Sequence, residues 1–198
     1  GDDTVVYGGA LGTGGSVNAG TGTDVISMTF TQAAAADGDA TFNGSFSGFE
    51  TLNLTAAMTG ALDIDALNNV STVVVNGDPN GGSITNIDSG STVQYKANAG
   101  GGHSVVVDGA VVSGSDVLNI SLDKTAGVLV TGTLTVANVE TINIDAADSA
   151  ATGSAANIHT LTLTAAAATS VVVTGNNGLN MTATNSTKIN CLCSLSKT

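Results

Sequence analysis

Residues 20–28 read Gly20-Thr21-Gly22-Thr23-Asp24-Val25-Ile26-Ser27-Met28, and this stretch decides the fold. It matches the nine-residue pattern G-G-x-G-x-D-x-U-x, where U is a large aliphatic residue, at Gly20, Gly22, Asp24 and Ile26. The glycines let the backbone turn tightly with its carbonyls pointing inward, the aspartate adds a carboxylate to that ring of oxygens, and the aliphatic side chain enters a core. Such a ring suits a hard cation, so the pattern predicts a Ca²⁺ site.

The chain opens with a second, truncated copy of this pattern, Gly1-Asp2-Asp3-Thr4-Val5. The second copy matters because a chain with 26 glycines produces a single Gly-x-Gly-x-Asp match easily. Asp3 and Asp24 are 21 residues apart, close to the roughly 18 residues that two nine-residue repeats give one coil of a solenoid. The two half-sites are therefore predicted to stack, one coil above the other, and to share an ion.

The composition favours narrow stacked strands and excludes several functions. Only 3% of the 198 residues are aromatic and there is no Trp, while small and β-branched residues dominate. The formal net charge is −12, from 16 acidic residues against four lysines and no arginine. So few basic side chains argue against binding to nucleic acid or to an anionic membrane. Bound divalent cations would offset much of the repulsion between the carboxylates.

No run of eighteen apolar residues and no signal peptide occur, so the sequence predicts no membrane span. Because the chain begins in the middle of a motif, we interpret it as a fragment of a longer polypeptide that carries its localisation signals elsewhere.

We expect a single solenoid over residues 1–187 and a divergent tail over 188–198. Cys191 and Cys193 lie in that tail, too close together for an unstrained disulfide and without further zinc ligands.

The hydrophobic pattern predicts an all-β chain of short strands. Ile26, Met28 and Phe30 alternate on one face of the first of them. Residues 31–46 interrupt the pattern around Asp37-Gly38-Asp39, which is either a solvated loop or a separate ion site. No segment shows a helical period with caps, so little or no helix is predicted. Further strands are predicted at 61–64, 70–76, 83–87, 92–96 and 104–107, separated by Gly-, Asn- and Asp-rich turns.

The second half of the chain repeats the first loosely, over about residues 20–77 and 112–175. Gly114-Ser115-Asp116-Val117-Leu118-Asn119-Ile120 resembles residues 22–26, and Val139-Glu140-Thr141-Ile142-Asn143-Ile144 resembles residues 49–54. The two aspartates are 92 residues apart and the two glutamates 90. This spacing predicts that Asp24 and Glu50 converge on one ion from neighbouring coils, and that Asp116 and Glu140 do the same. In this internal duplication, residues 70–75 correspond to residues 158–163.

The metal-binding residues predicted from these patterns share a place at the start of a strand or in the turn before it, with Asp148 following the second glutamate strand. They are Gly1, Asp3, Gly20, Gly22, Asp24, Glu50, Gly114, Asp116, Glu140 and Asp148. Two alternatives stay open: the aspartates serve turn chemistry alone, and the glutamates face solvent at the edge of a coil. His103 and His159 have no partners at useful spacing and are interpreted as surface or strand residues.

Enzymatic activity is not predicted. Some parallel β-helices are polysaccharide lyases or hydrolases, but such chemistry needs an acid/base pair in a cleft, and lyases commonly recruit Arg or Lys to stabilise developing negative charge. This chain has no Arg, and Lys96, Lys124 and Lys188 lie in unrelated contexts.

Taken together, the motifs resemble the calcium-binding RTX proteins and, among these, the C-terminal part of Caulobacter-type bacterial S-layer proteins. The similarity covers the chain to about residue 187. It is carried by Gly1-Asp2-Asp3-Thr4-Val5, Gly14-Gly15-Ser16-Val17-Asn18, Gly22-Thr23-Asp24-Val25, Gly48-Phe49-Glu50-Thr51-Leu52, Val139-Glu140-Thr141-Ile142-Asn143-Ile144 and Val172-Val173-Thr174-Gly175-Asn176.

This resemblance implies a right-handed parallel β-solenoid with Ca²⁺ between successive turns, secreted by a type I system and folded outside the cell. It implies self-association into a two-dimensional cell-surface lattice that depends on Ca²⁺. Through other regions of the parent protein, cell-surface polysaccharide or lipopolysaccharide is a further expected partner. The last residues depart from the family because the export signal and the dense repeats are absent. The alternative is a calcium-stiffened stalk of a type I-secreted RTX adhesin.

Overall fold

The computed structural model describes residues 1–9, 15–67, 70–124, 127–147 and 157–184, together with the backbone of 190–193. Within these residues the chain is built mainly from short parallel strands that belong to three sheets. From β5 onward, successive strands alternate between the two larger sheets, so each coil contributes one strand to each of them.

Strands with odd numbers form the larger side of the structure. Among the described residues this nine-stranded sheet comprises, in order, β1 (Thr4–Val6), β3 (Val25–Met28), β5 (Thr51–Leu54), β7 (Thr72–Val75), β9 (Thr92–Tyr95), β11 (Val117–Asp123), β13 (Thr141–Ala147), β15 (Ser170–Gly175) and β17 (Asn190–Cys193). The backbone of β17 pairs with β15, so the tail predicted from residue 188 onward contributes a strand.

Strands with even numbers form the other side. A six-stranded sheet of the described chain comprises β6 (Ala61–Asp63), β8 (Ser83–Ile87), β10 (His103–Val107), β12 (Val130–Ala137), β14 (Ile158–Thr164) and β16 (Gly178–Thr184). The first two coils instead place β2 (Val17–Asn18) beside β4 (Phe46–Ser47) in a separate two-stranded sheet.

Every strand pair is parallel, and each strand pairs with the equivalent strand of the next coil. Consecutive strands of one sheet are therefore linked through a strand on the opposite side, which is the connectivity of a solenoid. The prediction of an all-β parallel β-solenoid is confirmed, while its right-handed sense stays a prediction. No helix in the described part of the chain is long and apolar enough to cross a membrane.

The core is a set of inward columns that run from coil to coil, because alternate residues of a strand point to the same face. Branched aliphatic side chains stack in strand register and exclude water along the solenoid. One such column consists of Ile26, Leu52, Val73, Val93, Ile120, Ile144 and Val173, all at most 5% exposed. The inner faces of both large sheets share this one core.

The described chain contains little helix, as predicted, but two short helices interrupt the solenoid between β3 and β4, where none was expected. The first is α1 (Phe30–Asp37), which begins with a capping box in which Thr29 and Gln32 satisfy each other's backbone N–H groups. The second is α2 (Ala40–Ser45), capped by the carboxylate of Asp39. A 3₁₀ turn at Asp65–Leu67 follows β6.

The acidic loop predicted at residues 37–39 joins α1 to α2, is partly exposed, and places both of its aspartates as acceptors of backbone N–H groups. Asp39 accepts the N–H groups of Thr41 and Phe42 at the start of α2. Asp37, at the end of α1, accepts the N–H of Asp63 at 3.1 Å, and α1 packs against β6. The helix therefore covers the terminal strand of the six-stranded sheet, whose edge would otherwise present unpaired backbone groups.

The five later strand predictions are confirmed to within two residues, at β6 to β10. The alignment of residues 70–75 with 158–163 is wrong, because the first segment lies in the nine-stranded sheet and the second in the six-stranded sheet. The strand that occupies the position of β7 after the coil of Glu140 is β15 (Ser170–Gly175).

Candidate metal centre

Three acidic residues stand at the same position of three successive coils, each immediately before a strand of the nine-stranded sheet. The register pairs Thr4 with Val25 and Val25 with Thr51, which places Asp3, Asp24 and Glu50 one above another. We call residues 1–3, 20–24 and 48–50 the first acidic corner.

The carboxylates of this corner accept backbone N–H groups from the preceding coil. Oδ1 of Asp24 accepts the N–H of Asp3 at 2.6 Å, and Oε2 of Glu50 accepts the N–H of Asp24 at 2.8 Å. In the opposite direction along the solenoid, Oδ1 of Asp2 accepts the N–H of Thr23, from the following coil, at 2.9 Å. Hydrogen bonds to the charged form of a carboxylate are stronger than those between neutral groups, so these bonds tie the three coils together.

Asp24 is the most enclosed of the three acids. Its residue is 0% exposed, and its second oxygen, Oδ2, is buried without a hydrogen-bond partner. Asp3 is exposed and Glu50 is half-buried. A buried carboxylate oxygen without a partner is unfavourable, because it has lost water and gained nothing in return. A positively charged group beside Oδ2 of Asp24 would therefore stabilise the corner.

Glycine is required where the coils of this corner touch. Gly20 has a φ of +92°, and a Cβ at Gly22 would lie 2.4 Å from the carbonyl oxygen of Gly1. Gly48 has a φ of +75°, and a Cβ there would lie 3.0 Å from the N of Gly20. Any side chain at Gly22 would push the first two coils apart, which accounts physically for the glycines of the motif.

Asp116 and Glu140 occupy successive coils as well, before β11 and β13. Oε2 of Glu140 accepts the N–H of Asp116 at 3.1 Å, and Oε1 accepts the N–H of Gly114 at 3.2 Å, a donor that Gly114 shares with the carbonyl of Val111. Glu140 is 7% exposed and Asp116 is half-buried. We call residues 114–116 and Glu140 the second acidic corner.

The two corners are separate sites. The coils of β7 and β9 lie between them. Ser71 and Ser91 continue the position of Glu50 in those coils, and the pairing of β9 with β11 places Ser89 beside Asp116. Within the described part of the chain, no three Asp, Glu, His or Cys side chains converge closely enough to form a metal site by themselves. Asp148 lies outside the described residues. The metal-ligating role of the other predicted residues stays a prediction.

Both glutamates repeat one further interaction that the sequence did not reveal. The carbonyl oxygen of Glu50 accepts the N–H groups of Ser71 and Thr72, and that of Glu140 accepts those of Thr169 and Ser170. Each glutamate therefore joins three coils, through its side chain to the coil before and through its carbonyl to the coil after. Such bonds depend on strand register, which local sequence does not fix.

Of the two interpretations given for His103 and His159, surface or strand, the strand interpretation is confirmed, and both side chains are buried. His159 is 0% exposed, and its Nδ1 accepts the N–H of Leu129 at 2.9 Å, so the ring proton sits on Nε2. His103 is 7% exposed, and neither of its ring nitrogens has a hydrogen-bond partner of normal geometry. Its ring packs edge-to-face on Tyr95, with 5.1 Å between ring centroids.

Burial dominates the electrostatics of this aromatic pair. Desolvation lowers the pKa of His103 from its usual 6.5, while the nearby main chain of Gly101 and the charge of Asp78 act in the opposite direction. Desolvation likewise raises the pKa of Tyr95 above its usual value. The interior of this coil thus holds two neutral aromatic groups.

Comparison with known proteins adds no assignment: neither the family models, nor the curated proteins, nor the solved structures gave a match to this chain.

Proposed function

We propose that the chain is a calcium-stabilised structural module of a bacterial surface layer, part of a two-dimensional lattice on the cell surface. The observation that supports it best is the unpartnered, buried Oδ2 of Asp24 at the first acidic corner. The sequence motif there is the one whose resemblance suggests Ca²⁺ binding. The proposal includes no enzymatic activity.

The donor set of the first acidic corner suits Ca²⁺ by its chemistry. Ca²⁺ takes six to eight oxygen ligands at flexible geometry, and main-chain carbonyls commonly supply several of them. Asp24 would be the central ligand. The carboxylates of Asp3 and Glu50, in the coils before and after, do not converge with it into a three-acid site and would add negative charge around the ion. A site completed by main-chain carbonyls does not need three converging acidic side chains.

When bound, the cation would supply positive charge to a cluster that otherwise repels itself. The chain carries a net charge of −12, and Asp2, Asp3, Asp24 and Glu50 contribute four carboxylates to this one corner. Relief of that repulsion would favour closure of the first three coils. Because extracellular calcium modules bind at about 10⁻⁴ to 10⁻³ M, such a chain would be less ordered at cytosolic calcium than outside the cell.

A mechanical role agrees with the architecture. The parallel ladder is continuous from β1 to β17, and the outward faces of its strands are rich in Thr, Ser and Asn. In a solenoid each coil contacts only its neighbours, so stability depends on the interfaces between coils and on what holds them. A cation shared between coils acts on that interface directly.

The proposal is tested on the cells that produce the protein. We expect immunogold electron microscopy, with an antibody raised against the purified chain, to label a periodic array that disperses when EGTA removes Ca²⁺. Label on isolated fibres would favour the adhesin stalk instead. Absence of label from the cell surface would refute both.

A further inference from the structure

We infer that calcium governs only the N-terminal coils of this solenoid, because in the second acidic corner Glu140 is held by the backbone and Asp116 is partly open to solvent. The inference rests on the proposed function, since it presupposes that the first acidic corner binds the cation. It concerns the regulation of that site: which part of the chain the ion controls, and which of two similar acidic pairs binds it.

The glutamate of the second acidic corner has its charge stabilised by the backbone. Both oxygens of Glu140 accept backbone N–H groups of the preceding coil, at 3.2 Å and 3.1 Å. A carboxylate that accepts two or three backbone N–H groups is stabilised in its charged form without a counter-ion. Asp116 is half-buried and in contact with water. The pair therefore places no unpaired buried charge on the fold.

The first acidic corner differs at its aspartate, because Asp24 is buried whereas its counterpart Asp116 is partly open to solvent. Asp24 is wholly buried, and only its Oδ1 has a partner, which is the N–H of Asp3. Since no main-chain donor reaches Oδ2, this oxygen has to obtain its stabilisation from something that is not part of the described chain. A cation satisfies that need and a neutral ligand does so less well.

The neighbouring coils explain why two similar acidic pairs behave differently. In the first corner the coil before Asp24 carries two further carboxylates, Asp2 and Asp3. In the second corner the coil before Asp116 carries one exposed carboxylate, Asp88, and a hydroxyl, Ser89, whose Oγ accepts the N–H of Val117 at 3.0 Å. A cluster of four carboxylates around a wholly buried aspartate attracts a divalent cation more strongly than the second corner, where Asp116 and Asp88 are open to solvent and the backbone already holds Glu140.

Calcium removal should therefore loosen the solenoid from one end. β1, β3 and β5 depend on the first corner, whereas β11 and β13 belong to a corner with satisfied hydrogen bonds. β7 and β9 separate the two, with hydroxyl residues at the same position. In a one-dimensional stack, local loss of an interface does not have to spread through coils that retain theirs.

The test is hydrogen–deuterium exchange of the full chain in Ca²⁺ and in EGTA, with bound metal counted by mass spectrometry. Two matched variants each remove one charge but keep an acceptor oxygen: Asp24→Asn and Glu140→Gln. In the natural sequence we expect EGTA to speed exchange in β1, β3 and β5 at least tenfold and to change β11 and β13 less than twofold. Asp24→Asn should lose the ion and show fast exchange in the first three strands with or without Ca²⁺. Glu140→Gln should keep both the ion and the calcium response.

The outcomes separate the two claims. If β11 and β13 respond to Ca²⁺ as strongly as β1 and β3, or if Glu140→Gln loses the ion while Asp24→Asn keeps it, the inference fails and calcium binding stands. If the natural chain binds no Ca²⁺ and no strand responds, the proposed function fails and takes the inference with it.

Discussion

The backbone N–H of Asp24 donates a 2.8 Å hydrogen bond to Oε2 of Glu50, 26 residues further along the chain and one coil away. Asp116 and Glu140 form the same bond at 3.1 Å. In both places the aspartate lies just before a strand, and a glutamate side chain of the next coil, instead of a backbone carbonyl, accepts its N–H. These side chains therefore stabilise the solenoid whether or not an ion is present.

Replacement of either glutamate by alanine should destabilise the fold, because it leaves the N–H of Asp24 or of Asp116 without an acceptor. We expect Glu50→Ala and Glu140→Ala each to lower the free energy of unfolding by about 1–3 kcal/mol in EGTA. Glu140→Gln, which keeps an acceptor oxygen, should lose less. Asp145→Ala, on the exposed face of β13, should stay within about 0.5 kcal/mol of the natural sequence. Urea denaturation measures all four, and equal stability of Glu140→Ala and the natural chain would contradict the structural role.

Calcium should stabilise the folded chain by mass action. With a dissociation constant of about 10⁻⁴ to 10⁻³ M, 10 mM Ca²⁺ should raise the free energy of unfolding by about 1.4–2.7 kcal/mol. Mg²⁺ at the same concentration should do less, because it needs stricter geometry and dehydrates reluctantly. Thermal unfolding followed by circular dichroism checks this. An equal effect of the two ions would indicate general charge screening in place of a specific site.

Two glycines with nearly the same backbone conformation should respond differently to alanine. Gly109 has a φ of +61° and open space around it, whereas Gly132 has a φ of +59° and a Cβ there would lie 2.3 Å from the carbonyl oxygen of Gly101. Gly109→Ala should cost about 1–2 kcal/mol, from the left-handed conformation alone. Gly132→Ala should cost about 1–3 kcal/mol more, because two coils have to separate. Equal losses in urea denaturation would show that these coils are not packed as closely as described.

Acid should destabilise the protein through His103. Burial lowers the pKa of this side chain in the folded state, so the unfolded chain binds more protons below about pH 6.5. The stability that comes from keeping His103 neutral and buried is fully present above pH 6.5. It is lost as the pH falls from 6.5 toward the lowered pKa of the folded state. His103→Met should therefore show a flatter dependence of stability on pH between 7.5 and 5.5, with Ca²⁺ held at saturation. Identical slopes for the two chains would remove His103 from the explanation.

Much of the fold was predictable because the alternation of apolar residues that marks a strand is visible in the local sequence. Alternating aliphatic residues identified β3 and β5, and turn residues bounded β6 to β10. The alignment of residues 70–75 with 158–163 failed because the local pattern does not show to which sheet a strand belongs. Each coil has two strands of similar composition, and only the pairing assigns a strand to one sheet or the other.

The helical insertion was missed although its start carried a signal. Thr29 and Gln32 have the spacing of a capping box, but α1 has only eight residues and α2 six, too short for a helical period to stand out among alanines and threonines.

The positions of the acidic residues were predictable from their spacing, and their hydrogen bonds were not. Sequence placed Asp24 and Glu50, and likewise Asp116 and Glu140, in neighbouring coils. Whether a carboxylate meets a backbone N–H, a solvent molecule or another acid depends on register to within one residue. That difference separates the satisfied Glu140 from the unpartnered oxygen of Asp24.

The central claim, that a divalent cation at the first acidic corner holds the N-terminal coils together, is tested most directly by a crystal structure grown in Ca²⁺ with anomalous diffraction data. We predict an anomalous peak about 2.3–2.6 Å from Oδ2 of Asp24, the ordinary length of a calcium–oxygen bond. A map with no peak there, and with Oδ2 bonded to a protein donor instead, would contradict the account.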